Sequence, residues 1–414
     1  MRLSKNLIIL GGMCLLGGFL SWRILVIGLA DYYAAEATPQ AASAALLWRA
    51  DNPEPLLRRA QAVGQREPAL AGTLLQASVW GNPTNALPYL ALARLWAQAG
   101  RVPASIELVE VADTLAPMSA PALAESAQFW FAHGHAERGV ARWSALLRNS
   151  PTVADQLYPR LLTMANVASA RSLLAPLLAQ PPDWWDSFFA YAAAQSPTPE
   201  AVTFLYEGRN RAGALPSAAE QRVYFDRLWR DHRWTEAYLA WLGGLNEQAQ
   251  TGLGPLYDGG FDLPITGLGF DWRIGRARGV TVETLDTYGS RGPALHVVFE
   301  GRGEHFEHVH QPLYLEPGRY QLQGRVRTDG LSSRQAVRWV VRCERGQDQP
   351  GPLAASESFS GKDDWQLFTL DFQVPQADCP LQLLRLEQEQ GTNTVSEALG
   401  GAVWFDDLVI NRRG

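Results

Sequence analysis

Residues 320–330, YQLQGRVRTDG, decide the fold of the C-terminal part of the chain. Apolar and polar side chains alternate there with a period of two, as in a β-strand that turns one face toward a core. Similar runs follow at residues 337–344 (VRWVVRCE) and 365–374 (WQLFTLDFQV), and Gly, Pro and Asp separate them. Because no helical segment interrupts these runs, the sequence predicts an antiparallel β-sandwich or jelly roll over residues 251–414.

The preceding region is rich in Ala and Leu and predicts helices. Pro83, Pro117 and Pro151 are spaced 34 residues apart. In both intervals, large and small apolar residues recur at helical spacing on either side of a turn glycine. A unit of 34 residues with two antiparallel helices is the tetratricopeptide period. Residues 31–250 therefore resemble tetratricopeptide-repeat (TPR) proteins, and the resemblance implies an α-solenoid whose concave face binds a protein partner.

The N-terminal segment predicts a membrane anchor. Arg2 and Lys5 precede an apolar run over residues 7–30, which only Arg23 interrupts. A run of about 20 apolar residues matches the thickness of the hydrocarbon core of a bilayer. Positive charge before the run predicts that residues 1–6 are cytoplasmic and that the remainder lies outside the cytoplasm. The alternative is a cleaved signal peptide that ends at the small-residue motif of residues 35–37.

Composition narrows the class of protein. The chain of 414 residues has a formal net charge of −6, which argues against a nucleic-acid partner because such binders neutralise phosphates with excess basic residues. Its three Cys exclude a dense disulfide framework and a four-Cys zinc site. We therefore expect a multidomain α + β protein with a transmembrane helix, a TPR-like solenoid and a C-terminal sandwich.

Three stretches of the sandwich carry a family resemblance: residues 258–274 (DGGFDLPITGLGFDWRI), 310–330 (HQPLYLEPGRYQLQGRVRTDG) and 402–410 (AVWFDDLVI). They resemble the galactose-binding-like jelly roll of many carbohydrate-binding modules, which implies a glycan ligand. The complete layout is similar to anchored proteins that accompany polysaccharide synthesis and export in Gram-negative bacteria. That similarity implies a single-pass protein of the bacterial inner membrane, with most of the chain in the periplasm.

The same resemblance implies a structural calcium ion that ties the N-terminal segment of the sandwich to its last strand. The matching positions are Asp262 and either Asp406 or Asp407. Carboxylate oxygens are the ligands that Ca²⁺ prefers. Asp262 stands where relatives usually have Glu, so its carboxylate reaches less far. Alternatively, these aspartates cap turns.

Candidate glycan contacts follow from strand alternation. Arg325, Arg327 and Arg338 fall opposite the apolar residues of their strands, and a sheet face that carries planar donors suits hydroxyl-rich or acidic glycans. Trp272 and Trp365 are candidates for stacking on a sugar ring from loops or edges. The alternative is an ordinary solvated sheet face.

The two cysteines of the sandwich, Cys343 and Cys379, end one predicted strand and begin another. Export to an oxidising compartment favours a disulfide between them. The alternative is two buried free thiols.

These features favour a non-catalytic adaptor that binds a glycan through the sandwich and a protein through the repeats. We expect no enzyme, because the sequence has no nucleophile elbow, phosphate loop or HExxH motif. Asp363-Asp364 and Asp406-Asp407 are adjacent pairs, and adjacent strand residues point to opposite faces, whereas glycoside hydrolysis needs facing carboxylates. The alternatives are a purely protein-binding assembly scaffold and a polysaccharide-active enzyme.

Overall fold

The computed structural model describes residues 2–36, 38–290, 292–301, 305–331, 336–344, 351–389 and 399–414, with side chains from residue 10 onward. The chain forms two compact units. We call Met1–Ala192 with Glu207–Leu215 the helical unit, and Ala193–Tyr206 with Pro216–Gly414 the sandwich unit. The described elements are α-helices in the first part of the chain and two antiparallel sheets in the last, so the predicted α + β fold class is confirmed.

The first helix, α1 (Arg2–Ala35), has 34 residues, and its stretch Leu10–Ala35 is long and apolar enough to cross a membrane. The large apolar side chains from Leu10 to Ile27 are exposed, whereas Ala30 is fully buried. Ala37, which completes the alternative cleavage motif, lies outside the described residues, as do the side chains of Arg2 and Lys5. A membrane span and a signal sequence both fit this helix.

Short antiparallel helices follow α1. They are α2 (Pro39–Trp48), α3 (Pro53–Val63), α4 (Pro68–Gly81), α5 (Ala86–Gln98), α6 (Val102–Leu115), α7 (Ala120–Ala132) and α8 (Ala136–Asn149). The hairpins α5–α6 and α7–α8 begin 34 residues apart, and their small residues Ala93, Ala112 and Ala127 are almost fully buried. Small residues at these positions let neighbouring helices approach closely. The finer assignment to the TPR family stays a resemblance.

The helices become less regular beyond residue 150. They comprise two 3₁₀ helices (Pro151–Val153 and Ala168–Leu174), α9 (Ala154–Asn166), α10 (Ala175–Ala179), α11 (Trp185–Gln195) and α12 (Pro199–Arg211). Trp184, Trp185, Phe188 and Phe189 are all buried, so these adjacent aromatic side chains build the core of the helical unit.

Two antiparallel sheets form the sandwich. The strands are β1 (Arg273–Ile274), β2 (Val280–Asp286), β3 (Pro293–Glu300), β4 (Val309–Leu313), β5 (Gly318–Leu331), β6 (Val337–Cys343), β7 (Ala354–Ala355), β8 (Gly361–Val374), β9 (Gln382–Gln388) and β10 (Gly400–Arg413). Sheet A has the order β1-β4-β9-β6-β7, and sheet B has the order β2-β3-β10-β5-β8. Alternate apolar side chains of both sheets, including Trp339 and Phe405, fill the core between them.

The sandwich unit also contains the complete helices α13 (Ala218–Arg230), α14 (Trp234–Gly243) and α15 (Glu247–Gln250). Aromatic contacts attach α14 to loops of the sandwich, since the Trp241 ring lies 5.0 Å from Tyr257 and 5.6 Å from Phe270. Composition changes near residue 250, but packing joins the preceding helices to the strands. The domain boundary at residues 250/251 stays a prediction.

Candidate functional site

The outer face of sheet A carries a cluster of arginines. In β6, Val337, Trp339 and Val341 point into the core, so Arg338 and Arg342 point outward. Arg385 and Glu387 point outward from the neighbouring strand β9. Arg338 on β6 is the register partner of Glu387 on β9. We call Arg338, Arg342, Arg385 and Glu387 the sheet A cluster.

One carboxylate holds the sheet A cluster together. Arg342 donates to the two Glu387 oxygens at 2.9 and 3.2 Å, and Arg385 donates to Oε2 at 2.8 Å. A guanidinium nitrogen of Arg338 lies 4.0 Å from Glu387 Oε1. The Glu387 side chain is only 6% exposed, whereas the arginines retain 17–27%. Glu387 thus orients the guanidinium groups of Arg342 and Arg385, and all three arginine side chains remain partly exposed to solvent.

The polar surface continues toward β1. Arg273, His310 and Arg385 stand in register across β1, β4 and β9. Helix α13 borders this row, because Arg273 lies over the Trp229 ring at 4.9 Å. The sheet A face therefore has a strand floor and, beyond β1, a helical wall that belongs to the same compact unit.

Several nitrogen atoms on this face have unused hydrogen-bonding capacity. Among the described residues, the buried atoms without a hydrogen-bond partner include Nε of Arg273, Arg338 and Arg342 and Nδ1 of His310. Buried polar atoms are normally paired with protein or with ordered water. These four atoms lie on one sheet face, and ordered water is the expected partner for buried nitrogens of this kind.

The pKa of His310 reflects its burial and the positive charges on this face. Burial, followed by the charges of Arg273, Arg385 and His308, lowers its pKa from 6.5 to about 4. The imidazole is therefore neutral at pH 7, so it can donate from one nitrogen and accept at the other.

This depressed pKa predicts a pH dependence of stability. His310 is protonated below about pH 6.5 in the unfolded chain but only below about pH 4 in the folded chain. Acid therefore favours the unfolded chain between these two pH values. We expect this group to remove up to about 3 kcal/mol from the free energy of unfolding between pH 6.5 and 4. Urea titrations at pH 7, 5.5 and 4 should show a smaller acid loss in His310→Gln than in the wild type.

Asp258 provides a comparison of opposite sign. Burial raises its pKa from 3.8 to about 6, so its share of stability is present below pH 3.8 and is lost as pH rises through 6. Asp258→Asn should therefore increase the loss of unfolding free energy between pH 7 and 4. If wild type and His310→Gln lose the same amount of unfolding free energy over this range, the assignment of the acid effect to His310 is wrong.

The predicted arginine set does not share one face. Arg325 and Arg327 lie on β5 and point outward from sheet B, whereas Arg338 points outward from sheet A. The interpretation of Arg325, Arg327 and Arg338 as one surface is therefore wrong, because the two outer faces of a sandwich point in opposite directions.

On sheet B the two arginines cover aromatic rings. The Arg325 guanidinium lies 4.8 Å from the centre of the Trp365 ring, and that indole donates to the Tyr288 carbonyl at 3.0 Å. Arg327 lies 4.9 Å from the centre of the Trp404 ring, which also stacks on His296 at 4.5 Å. Protein side chains thus cover part of both indole rings.

Trp272 is fully buried in the core of the sandwich, where its indole donates to the Asp258 carbonyl at 3.0 Å. It contacts Phe261 and Trp339 at ring distances of 5.0 and 5.8 Å. The expectation that Trp272 stacks on a sugar from a loop is therefore wrong. Trp365 stays a candidate on sheet B.

The acidic residues of the expected calcium site face a cation of the protein. The Arg325 guanidinium lies 3.7 Å from the Asp406 carboxylate and 3.6 Å from that of Asp407. Among the described residues, no three His, Cys, Asp or Glu side chains come together as metal ligands. These contacts favour a calcium-free arrangement of Asp406 and Asp407, and calcium binding by Asp262, Asp406 and Asp407 stays a prediction.

Backbone atoms make the connection that calcium was expected to make. The Leu408 N–H donates to the Gly259 carbonyl at 2.9 Å, next to a bulge in β10. A Cβ at Gly259 would lie 1.8 Å from the Leu408 oxygen, so only glycine allows this approach. We expect EDTA to leave Tm unchanged in a thermal melt, with millimolar calcium as the comparison. A calcium-dependent rise in Tm would contradict this arrangement.

Cys343 and Cys379 are joined by a disulfide in the structure, with Cα atoms 5.2 Å apart. The bond connects the end of β6 to the loop before β9, the two strands that carry the sheet A cluster. It therefore constrains the spacing of these strands at one end.

Sequence reasoning missed Arg273, His310 and the α13 wall as parts of this face. The strand that holds Arg273 is too short for a periodic pattern, so the outward position of Arg273 follows only once Trp272 is known to be buried. No local pattern indicated the wall, since Trp229 reaches Arg273 only through tertiary packing.

Comparison with known proteins gives only distant likenesses. No family model and no curated protein matches the chain. Solved structures that resemble it include one described as "CBM4 structure and function" (15% identity, TM-score 0.28, covering 38% of this chain and 99% of that one). Another is the CBM22-2 xylan-binding domain from Paenibacillus barcinonensis Xyn10C (18% identity, TM-score 0.26, covering 34% and 91%). A third is TmCBM61 in complex with β-1,4-galactotriose (14% identity, TM-score 0.23, covering 34% and 88%). Their ligands are not transferred to this chain, because all three TM-scores are below 0.5.

Proposed function

We propose that this protein is a non-catalytic, membrane-anchored adaptor of the bacterial envelope that binds a polysaccharide on the outer face of sheet A. The observation that carries the proposal is the sheet A cluster, in which one buried carboxylate orients the guanidinium groups of Arg342 and Arg385 and lies 4.0 Å from that of Arg338. The rigid fork of Arg engages vicinal hydroxyls or a carboxylate with two parallel hydrogen bonds.

The charges favour a hydroxyl-rich glycan over a strongly acidic one. Arg385 also contacts Glu307 at 2.9 Å, and Arg338 lies 3.6 Å from Glu389. Each of these guanidinium groups thus has carboxylate neighbours, and the face offers donors and acceptors together. Hydroxyl groups both donate and accept, so they match such a surface. We expect weak binding at each site, compensated by avidity along a repeating polymer.

Arg338→Ala is expected to weaken retention of the bound polysaccharide about tenfold, the effect of losing one or two charge-assisted hydrogen bonds. Arg338 suits this test because its contact with Glu387 is the longest of the three, at 4.0 Å, so the cluster should survive its removal. The measurement is affinity electrophoresis of the full-length protein in polysaccharide gels, after a glycan array has identified the polymer.

Arg327→Ala is the matched control, because Arg327 also lies on an outer sheet face but on sheet B. It should be retained normally, and moderate salt should change retention little. If Trp365→Ala or Arg327→Ala fails instead, the glycan binds sheet B. If no polysaccharide retains the wild type, the proposal of glycan binding is wrong, and a protein-binding scaffold becomes the favoured function.

The helical unit offers a separate surface for a protein partner. A cleft of about 610 Å³ lies between α4 and α5, where Gly72 and Ala69 leave space beside Trp96. Arg101 lies 4.6 Å from the centre of the Trp96 ring and places positive charge at the cleft. An aromatic ring next to a cation is a common anchor in protein interfaces. This cleft supports the adaptor proposal and is also the feature that favours the scaffold alternative.

A further inference from the structure

We infer that the end of the helical unit formed by Leu47, Trp48 and Trp80 lies on the lipid bilayer beside the anchor. The inference rests on the proposed membrane anchor. It adds a fixed orientation of the helical unit at the membrane surface.

The hairpin formed by α1 and α2 sets the depth of these residues. Only residues 36–38 separate the two helices, so α2 runs antiparallel to α1 and packs against it. From Pro39 to Trp48 the helix rises about 14 Å. Trp48 therefore lies level with α1 about nine residues before its end, near Val26. Burial on α1 agrees, since Ala30 is fully buried and Ala34 nearly so, whereas Ile24 is 72% exposed.

That level is the expected edge of the bilayer. The apolar run of α1 contains Arg23, whose long side chain reaches the headgroups when it lies near the end of a span. Trp and Tyr concentrate at the same depth in membrane proteins, because their rings are apolar and carry a polar group. Trp48 is thus placed where an aromatic residue is favoured.

Trp80 extends the same surface. The end of α4 lies against the start of α3, because Ser78 Oγ donates to the Pro53 carbonyl at 2.7 Å. Trp80 is therefore on the same end of the helical unit as the loop that follows Trp48. Leu47 and Trp80 are each 87% exposed, and exposed side chains of this size are costly in water. Their continuity with α1 indicates a lipid surface as the occupant.

Spin labels on the full-length protein test this placement in nanodiscs of phosphatidylcholine and phosphatidylglycerol. In a Cys14→Ala background, Leu47→Cys is labelled, and Gln65→Cys serves as the exposed control at the opposite end of α3. The disulfide of the sandwich blocks the other two thiols. We expect the ratio of collisions with oxygen to collisions with a water-soluble nickel chelate to be several-fold higher for Leu47→Cys. Trp80→Cys should behave like Leu47→Cys.

A label on the natural Cys14 separates the inference from the anchor proposal. If Cys14 reports lipid but Leu47→Cys and Trp80→Cys match Gln65→Cys, the anchor stands and this inference is overturned. If Cys14 itself reports water, or the mature protein lacks it, both the anchor and the inference fall.

Discussion

Replacing Glu387 with Gln is expected to lower the free energy of unfolding by about 3 kcal/mol, near the lower end of what breaking a buried ion pair costs. Its side chain is 6% exposed and accepts hydrogen bonds from Arg342 and Arg385, while Arg338 lies 4.0 Å away. Gln keeps the size of the side chain, so no cavity forms. The loss comes from three guanidinium groups that repel one another without their shared carboxylate.

The control is Glu389→Gln on the same face. Glu389 is 43% exposed and lies 3.6 Å from Arg338, so we expect a loss of at most about 1 kcal/mol, as for other surface ion pairs. Urea unfolding of both variants and the wild type at pH 7 gives the comparison. Equal losses would show that Glu387 is not the residue that holds the cluster together.

Strand alternation predicted which residues of each strand point outward. In β6, Arg338 and Arg342 are outside, and Trp339 is inside, because a one-residue error would expose the apolar set. Alternation is local, however, and does not say which sheet a strand joins. β6 pairs with β9, whereas β5 pairs with β10 and β8. These pairings connect residues far apart in sequence, so Arg338 could not be separated from Arg325 on local pattern alone.

The sequence pattern predicted an exposed Trp272 for a related reason, although the side chain is buried. The strand β1 has only two residues, too few for a periodic pattern, and the preceding segment is rich in Gly and Pro. Its burial depends on the loop around Asp258, whose carbonyl accepts the indole N–H. Arg273 follows directly and therefore points outward to Trp229. Glycine-rich sequence predicts a loop correctly but does not indicate whether an aromatic residue in that loop reaches the core.

The packing of α14 against the sandwich also could not be predicted from local sequence pattern. The change of composition near residue 250 marks where helices give way to strands. It does not show that Tyr238 lies 4.9 Å from Tyr314, a contact that crosses this point of the sequence. Aromatic contacts of this kind are decided by tertiary packing.

Loss of the disulfide between Cys343 and Cys379 is expected to destabilise the sandwich by roughly 3–4 kcal/mol, the chain-entropy effect of releasing a loop of 36 residues. The test is Cys343→Ala combined with Cys379→Ala, followed by urea unfolding of protein that has been exported from the cytoplasm. Cys14→Ala is the control and should leave the midpoint unchanged, because Cys14 is exposed on α1 and is not disulfide-bonded. A double variant with the midpoint of the control would contradict the prediction.

The same double variant connects stability to the proposed function. The bond joins β6 to the loop that leads into β9, and the sheet A cluster spans these two strands. Gln382, at the start of β9, pairs with Cys343 and also donates to the Cys379 carbonyl at 2.7 Å, so the loop and both strands meet at this point. Releasing it should loosen the spacing between Arg342 on β6 and Glu387 on β9, because the Arg342–Glu387 hydrogen bonds cross between the two strands. We therefore repeat the electrophoresis assay in increasing concentrations of urea. The double variant should lose polysaccharide retention at urea concentrations at which the wild type is still folded and bound. Retention that persists until global unfolding would show that the hydrogen bonds between β6 and β9 hold the cluster without the disulfide.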